Sequence, residues 1–172
     1  MTIERMFLAV TPPPEVIGLI SDLPTEPLRG VRYTRRKQWH VSLRFLGDVE
    51  RDDALEAFAG FGAPAATITL GDQVELLGTR IVIVPVQGLD ATAEAIDASF
   101  HHLGEPREHA YQAHLTLARL KGRPLRDPSL VSVLGAPISA TFQVDEVGLW
   151  KSEITDEGAV HTLVATQELD PV

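Results

Sequence analysis

Two four-residue segments carry a histidine and a hydroxyl side chain at the same spacing. They are His40-Val41-Ser42-Leu43 and His114-Leu115-Thr116-Leu117. Residues two apart on a β-strand point to the same face, so each histidine would project together with its hydroxyl partner. An imidazole exchanges protons near neutral pH, and a hydroxyl group can donate a hydrogen bond to an anion. Two such pairs facing one cleft would form an acid–base pair beside an anion-binding site.

The first segment lies in a strand-like pattern. Its apolar residues alternate with polar ones, in the order Trp39, His40, Val41, Ser42, Leu43, Arg44 and Phe45. A period of two residues is typical of a strand with one apolar face. The pattern predicts that Phe45 is on the apolar face and that Arg44 shares the polar face with His40. Residues 112–120, around the second histidine, also have the composition of a strand.

The two histidines hold matching places in an internal repeat. Met6 begins one unit and Arg80 begins the second, and the separation in sequence from Met6 to His40 equals that from Arg80 to His114. Each unit has the pattern strand, helix, strand. We call the separation in sequence from His40 to His114 the repeat offset. We expect residues 1–172 to form one domain of two pseudo-symmetric lobes, with the repeat at about 5–47 and 79–121.

Composition limits the partners that this chain can bind. Its 172 residues include no cysteine, which excludes disulfide scaffolds, cysteine zinc sites and thiol catalysis. A net charge of −9 argues against binding duplex nucleic acid or an anionic membrane by bulk charge. Ten of the 15 Lys and Arg residues nevertheless lie in two windows without Asp or Glu, residues 29–44 and 119–126. The windows predict a positive cleft within an acidic molecule.

The sequence has no segment with the form of a signal peptide or the length of a membrane span. We therefore expect a cytoplasmic protein that acts away from membranes. We also expect a monomer.

Paired histidines, hydroxyl donors and nearby cations suit displacement at phosphorus. On a ribose 2′,3′-cyclic phosphate, one imidazole would take a proton from the attacking water and the other would protonate the departing ribose oxygen. Ser42 and Thr116 would hold the non-bridging oxygens. Arg119 is a further candidate contact to the phosphate, although strict alternation would point it away from His114 unless the strand bends. This chemistry requires neither a metal nor a cofactor.

The same residues resemble a known family. The resemblance is carried by Met6-Phe7-Leu8-Ala9-Val10, the segment from Trp39 to Gly47 and the segment from His114 to Arg119. These look like the two-histidine phosphoesterase superfamily, and within it the RNA 2′,3′-cyclic phosphodiesterases, also called 2′-5′ RNA ligases. The resemblance covers essentially the whole chain. It implies a bilobal α+β fold of mainly antiparallel sheet, with helices packed outside and the active site between the lobes.

The resemblance also implies an activity and roles for the two histidines. Substrates would be RNA ends or nucleotides bearing a 2′,3′-cyclic phosphate, cleaved to 2′-phosphomonoesters, and reversible 2′-5′ RNA ligation is a further possibility. His40 would be the proton donor and His114 the acceptor. The chain departs from the family pattern at Ala113, where a proline is usual, and at His161, where an aromatic residue is usual. These departures bear on substrate choice.

Two other functions fit parts of the sequence. A non-catalytic module could bind nucleotides or RNA in the same cleft. A metallohydrolase could instead use a histidine cluster formed by His101, His102, His109 and His114, although these residues lack the spacing of a common metal motif. Activity that survives EDTA would exclude the second alternative.

Overall fold

Apolar and alternating segments form the strands of the protein in the computed structural model, which describes residues 1–122 and 127–172. The strands of this part of the chain are β1 (Ile3–Val10), β2 (Val31–Tyr33), β3 (Val41–Glu50), β4 (Ala66–Gln73), β5 (Glu75–Leu77), β6 (Ile81–Gln87), β7 (His114–Leu120), β8 (Pro137–Val144), β9 (Glu146–Thr155) and β10 (Gly158–Glu168). The α-helices are α1 (Pro14–Ser21), α2 (Arg51–Gly60) and α3 (Asp90–Ser99), with short 3₁₀ helices at Arg36–Gln38 and Pro128–Leu130. None of these helices combines the length and the apolar character that crossing a membrane requires.

One open sheet runs through the molecule in the order β10-β9-β1-β3-β7-β6-β4-β8, with β2 added to β7 and β5 to β6. Strands β3 and β7 meet at the pair Val41–Leu115, which we call the junction. The first lobe is β10-β9-β1-β3 and the second is β7-β6-β4-β8. Helices α2 and α3 pack on β3, and α1 packs on β8. The predicted α+β fold of two mainly antiparallel lobes is confirmed.

Matching residues of the two units make matching strand pairs. These pairs are Val10–Val41 and Ala9–Ser42 in the first lobe and, one repeat offset further on, Val84–Leu115 and Ile83–Thr116 in the second. Val41 and Leu115 are both buried in an apolar core that includes residues of both lobes. The polar residues on either side of this pair therefore lie on the opposite face of the sheet.

Both central strands have a β-bulge directly after the hydroxyl residue. The extra residue is Leu43 in β3 and Leu117 in β7, since neither has a partner on the neighbouring strand β1 or β6. A bulge shifts the alternation of side chains beyond it. Arg44 is consequently only 4% exposed, whereas Phe45 is 40% exposed. The predicted faces of Arg44 and Phe45 are therefore wrong.

The segment that precedes each histidine is hydrogen-bonded to the central strand of the other lobe, and we call these two segments the exchanged segments. Strand β2, which precedes His40, pairs with β7 of the second lobe. Residues 105–111, which precede His114, are bound to β3 of the first lobe. There the Glu105 amide donates to the Leu46 carbonyl at 2.8 Å, and the Arg107 guanidinium donates to the Leu43 carbonyl at 2.7 Å. Each central strand is thus bordered by chain from the other unit.

Candidate active site

The junction brings four predicted site residues to one face of the sheet. Val41 pairs with Leu115 in an antiparallel register. One residue to either side, this register sets His40 opposite Thr116 and Ser42 opposite His114. The four side chains point away from the buried Val41 and Leu115, because successive residues of a strand face opposite sides. Neither lobe alone holds this group.

Both imidazole rings are fixed by the same backbone contact. Nδ1 of His40 lies 2.7 Å from the Gln38 carbonyl oxygen, and Nδ1 of His114 lies 2.7 Å from the Gln112 carbonyl oxygen. A carbonyl oxygen only accepts, so each Nδ1 carries the donated proton. In the neutral ring Nε2 is then the unprotonated nitrogen. The Ser42 hydroxyl lies 3.1 Å from Nε2 of His40 and can donate to it.

His40 lies in a restricted, largely apolar setting. Its ring centroid is 4.9 Å from that of Phe7 and 5.1 Å from that of His161, which meets it edge-on. Burial, followed by repulsion from His161, His114 and Arg119, lowers the pKa of His40 from 6.5 to about 4, although the hydrogen bond to Gln38 opposes this. Burial also lowers the pKa of His161. Free His40 is therefore neutral at pH 7.

Arg119 reaches the same face as Thr116 because of the bulge at Leu117. Thr116 pairs with Ile83 and Arg119 with Ile81, two positions apart on β6, so both point to one side. The bulge supplies the bend that a regular strand would lack. Arg119 is exposed, and its charge acts on His40.

Further cations lie at this end of the site. Arg32 of β2 pairs directly with Arg119, so their side chains share a face. Lys37 lines a small recess together with His40 and His161. We call Arg32, Lys37 and Arg119 the cationic group.

Two other cations of the first window make ion pairs. Arg44 is directed at helix α3, where its Nε lies 3.0 Å from the Asp97 carboxylate, and it also donates to the Glu105 carbonyl at 2.6 Å. Arg35 lies 4.0 Å from Glu157 on the surface. Arg123 and Arg126 are outside the described residues. The positive charge of the first window is therefore divided between the site and a structural ion pair.

Several residues beside the site were not predicted as site residues. Tyr111 donates from its hydroxyl to the Ser42 carbonyl at 2.7 Å, and burial raises its pKa. Phe7 and His161 contact His40 from β1 and β10. The resemblance marked His161 as a departure, but its contact with His40 depends on how β9 and β10 close the first lobe. Phe45 and Arg119 are one repeat offset apart, so a comparison of the two repeat units could have identified Phe45 as the counterpart of Arg119.

The remaining histidines do not form a metal-binding group. The ring centroids of His101 and His102 are 5.5 Å apart, and Nδ1 of His101 lies 2.7 Å from the Ala98 carbonyl oxygen. His109 lines the same groove as His114. Within residues 1–122 and 127–172, no three His, Asp or Glu side chains come together as metal ligands would. The cluster that a metallohydrolase would need is not formed there.

Solved structures resemble this fold over almost its whole length. E. coli LigT, crystallised in complex with 3′-AMP, superposes with a TM-score of 0.76 at 23% identity, covering 98% of this chain and 99% of LigT. TT0787 of Thermus thermophilus superposes with a TM-score of 0.78 at 24% identity, covering 96% and 97% of the two chains. At this level of identity the likeness establishes the fold.

Sequence comparison finds two relatives that share one name. The RNA 2′,3′-cyclic phosphodiesterase of Methanocaldococcus jannaschii is 21% identical over 174 residues, covering 93% of this chain and 98% of the relative. The protein of the same name from Methanothermobacter thermautotrophicus is 25% identical over 147 residues, covering 77% and 79%.

Two lobes that each supply a histidine and a hydroxyl residue to one face have the arrangement of a two-histidine phosphoesterase. The family model of the 2′-5′ RNA ligase superfamily matches residues 12–156. The chain belongs to this superfamily.

Proposed function

We propose that this protein hydrolyses RNA 2′,3′-cyclic phosphate ends to 2′-phosphomonoesters, with His40 and His114 as the acid–base pair. The observation that carries the proposal is the junction, where the two histidine–hydroxyl pairs face one another across a single strand pair. Both histidines present Nε2 to this face because both Nδ1 atoms are bound to backbone carbonyls. The names of the archaeal relatives support the same substrate class.

The reaction has a balanced course at this site. Water attacks phosphorus and passes a proton to Nε2 of His114, while the bond from phosphorus to the 3′-oxygen breaks. Nε2 of protonated His40 gives its proton to the departing 3′-oxygen. Ser42, Thr116 and Arg119 bind the non-bridging oxygens, whose charge grows in the transition state. In the same sense, a ribose 5′-hydroxyl in place of water would attack phosphorus as the bond to the 3′-oxygen breaks, which would give 2′-5′ ligation.

The donor role of His40 places a condition on the substrate. With a pKa of about 4, His40 is neutral in the free protein at pH 7 and has no proton on Nε2 to donate. An anionic phosphate within a few ångströms favours the protonated ring and raises its pKa. Substrate binding therefore favours protonation of His40, and the protonated ring can then act as the acid in cleavage.

The test compares histidine variants on a panel of cyclic-phosphate substrates in the presence of EDTA. His40→Ala and His114→Ala should each lower kcat by about 10²–10⁴-fold, the usual contribution of a positioned acid or base. His101→Ala, at an exposed histidine outside the site, is the matched control and should keep full activity. Phosphorus NMR should identify the product as a 2′-phosphate.

Three outcomes would contradict the proposal. Full activity in either site variant removes that histidine from the mechanism. Loss of activity in EDTA that returns with a divalent metal ion indicates a metallohydrolase. Tight nucleotide binding without turnover by the unmodified protein indicates a binding module instead of an enzyme.

A further inference from the structure

The backbone carbonyls of the two hydroxyl residues at the junction are bound by the exchanged segments. The Tyr111 hydroxyl donates to the Ser42 carbonyl at 2.7 Å. The Thr34 hydroxyl donates to the Thr116 carbonyl at 2.9 Å. Each exchanged segment precedes the histidine of its own unit. Each of these bonds therefore runs from one unit to the hydroxyl residue of the other.

The exchanged segments also bind the two β-bulges. Leu43 and Leu117, the extra residues of the bulges, directly follow the two hydroxyl residues. The Leu43 carbonyl accepts from the Arg107 guanidinium at 2.7 Å. The Leu117 carbonyl accepts from the Thr34 amide at 2.7 Å and from the Thr34 hydroxyl at 2.9 Å. Because a bulge locally disrupts the hydrogen bonds to the neighbouring strand, these contacts stabilise the backbone there.

The Thr34 hydroxyl is held in its donating orientation by Trp39. The indole Nε1 of Trp39 lies 3.1 Å from Oγ1 of Thr34, and an indole N–H can only donate. The Thr34 oxygen therefore accepts this bond and directs its own proton to the carbonyls of β7. Trp39 directly precedes His40. The contacts thus connect the first histidine to the backbone of Thr116.

The Tyr111 hydroxyl is a donor for a different reason. Burial raises the pKa of Tyr111, so the phenol keeps its proton at neutral pH. The Arg107 guanidinium lies 5.0 Å from the Tyr111 ring centroid. Two neighbouring side chains of one exchanged segment therefore hold consecutive carbonyls of β3, those of Ser42 and Leu43.

The bound carbonyls belong to the residues whose side chains would hold the phosphate. A hydrogen bond to a phosphate oxygen depends on both distance and direction. A displacement of about 1 Å within an active site can lower the reaction rate about 10²-fold. A contact that fixes the backbone of Ser42 or Thr116 therefore also fixes the direction in which its hydroxyl points.

We propose that Thr34 and Tyr111 are positioning residues, and that each orients the phosphate-binding hydroxyl residue of the other unit. Thr34 orients Thr116, and Tyr111 orients Ser42. The inference rests on the proposed function, in which both hydroxyl groups bind the non-bridging oxygens. Each unit then supplies one hydroxyl to the phosphate and the contact that orients the other hydroxyl.

Substitutions of nearly equal shape remove each positioning hydroxyl. On adenosine 2′,3′-cyclic phosphate, Thr34→Val and Tyr111→Phe should each lower kcat/KM about 2- to 10-fold, the contribution of one hydrogen bond. Thr34→Ser retains the hydroxyl and should keep most of the activity. Tyr111→Phe deletes one oxygen from a half-buried side chain, so it tests the proposal by itself if Thr34→Val does not fold.

A double-mutant cycle identifies the residue through which each hydroxyl acts. In a Thr116→Ala background, Thr34→Val should cause no further loss, because the hydroxyl that it orients is absent. In a Ser42→Ala background, Thr34→Val should keep its full effect. Tyr111→Phe should show the reverse, and we call this result the crossed pattern. A general loss of stability would instead lower activity by the same factor in both backgrounds.

The matched controls remove a hydroxyl–carbonyl bond outside the site. Tyr33→Phe removes the bond from Tyr33 to the Glu26 carbonyl, which is 2.9 Å long. Thr92→Val removes the bond from Thr92 to the Pro64 carbonyl, which is 2.7 Å long. Both variants should leave kcat/KM unchanged.

Three kinetic results each overturn the positioning role. The first is full activity in Thr34→Val or in Tyr111→Phe. The second is an equal loss in the two alanine backgrounds in place of the crossed pattern. The third is a loss in Thr34→Ser as large as that in Thr34→Val.

A binding measurement separates this inference from the proposed function. If the unmodified protein hydrolyses no cyclic phosphate, the proposed function fails, and calorimetric titration with adenosine 2′-phosphate then decides the positioning role without turnover. The crossed pattern in Kd supports the role, and Kd values that Thr34→Val and Tyr111→Phe leave unchanged overturn it. If cyclic phosphates are hydrolysed and kcat/KM lacks the crossed pattern, the proposed function stands and the positioning role fails.

Discussion

In the proposed mechanism, the charge on the His40 ring decides whether this residue can donate a proton. Phe7 and His161 enclose the ring, and burial is the main reason for its low pKa. The family resemblance gives His40 the role of donor, which requires an imidazolium. In the free protein at neutral pH, the His40 ring is uncharged. In the mechanism we propose, ligand binding is therefore coupled to protonation of His40.

The first prediction concerns this coupling. Proton and nitrogen NMR should show His40 titrating with a pKa of about 4 in the free protein. Adding adenosine 2′-phosphate should shift the titration upward, because the phosphate favours the charged ring. In His161→Phe, which keeps an aromatic contact without a titratable nitrogen, the pKa of free His40 should also be higher than in the unmodified protein. A pKa that stays near 4 with ligand bound would assign His40 the role of acceptor.

The exchanged segments show how secondary structure elements hold these residues in place. Gly30 and Gly104 stand at matching places before the two histidines, and both have positive φ, 84° and 71°. Gly104 has a second constraint, because a Cβ at this position would collide with the carbonyl of Leu46 on β3. The close approach allows residues 105–111 to run along β3 and brings Tyr111 to the Ser42 carbonyl.

The second prediction separates this close approach from backbone strain. Gly78 also has positive φ, 63°, but a Cβ there would meet no atom within 4 Å. Gly78→Ala should cost about 1 kcal/mol of unfolding free energy from the backbone conformation alone. Gly104→Ala should cost about 3 kcal/mol, because β3 or the segment must also move. Urea unfolding measures both values.

The activity of the two variants gives a second comparison. Gly104→Ala should lower kcat/KM, since displacement of residues 105–111 moves Tyr111 away from the junction, whereas Gly78→Ala should not. Equal unfolding free energies for the two variants would show that the approach of Gly104 to Leu46 has no energetic importance.

On the scale of the whole molecule, charge is distributed unevenly. The chain carries a net charge of −9, yet Arg32, Lys37 and Arg119 gather on one side of the junction. An acidic protein repels RNA over most of its surface, and a local basic group then determines where the strand can approach. Contacts of this kind release counterions and weaken as salt increases.

The third prediction follows from this distribution. For a short RNA ending in a 2′,3′-cyclic phosphate, the slope of log kcat/KM against log salt should be roughly −1.4 to −2.1, consistent with two or three phosphate contacts. A mononucleotide cyclic phosphate, which has no upstream phosphates, should show a shallower slope. Arg32→Gln should reduce the slope for the RNA by about one unit. Equal slopes for the two substrates would show that the upstream chain avoids the cationic group.

Local sequence properties determined the two lobes and the four polar residues at the junction. Strand alternation fixes which neighbours share a face, and the internal repeat relates His40 to His114 and Ser42 to Thr116 without any long-range information. These properties depend only on residues close in sequence or on comparison of the chain with itself. The α+β architecture was implied by the resemblance to the two-histidine phosphoesterases that these residues carry.

Only the tertiary structure decided the surroundings of those residues. The bulges at Leu43 and Leu117 are features of pairing with β1 and β6, so alternation within β3 placed Arg44 and Phe45 on the wrong faces. Tyr111 and His161 reach the site from segments that are distant in sequence from Ser42 and His40. The low pKa of His40 arises from burial by these distant elements. A pattern along one strand cannot contain this information, because each of these features requires a second strand or loop at a fixed distance in space.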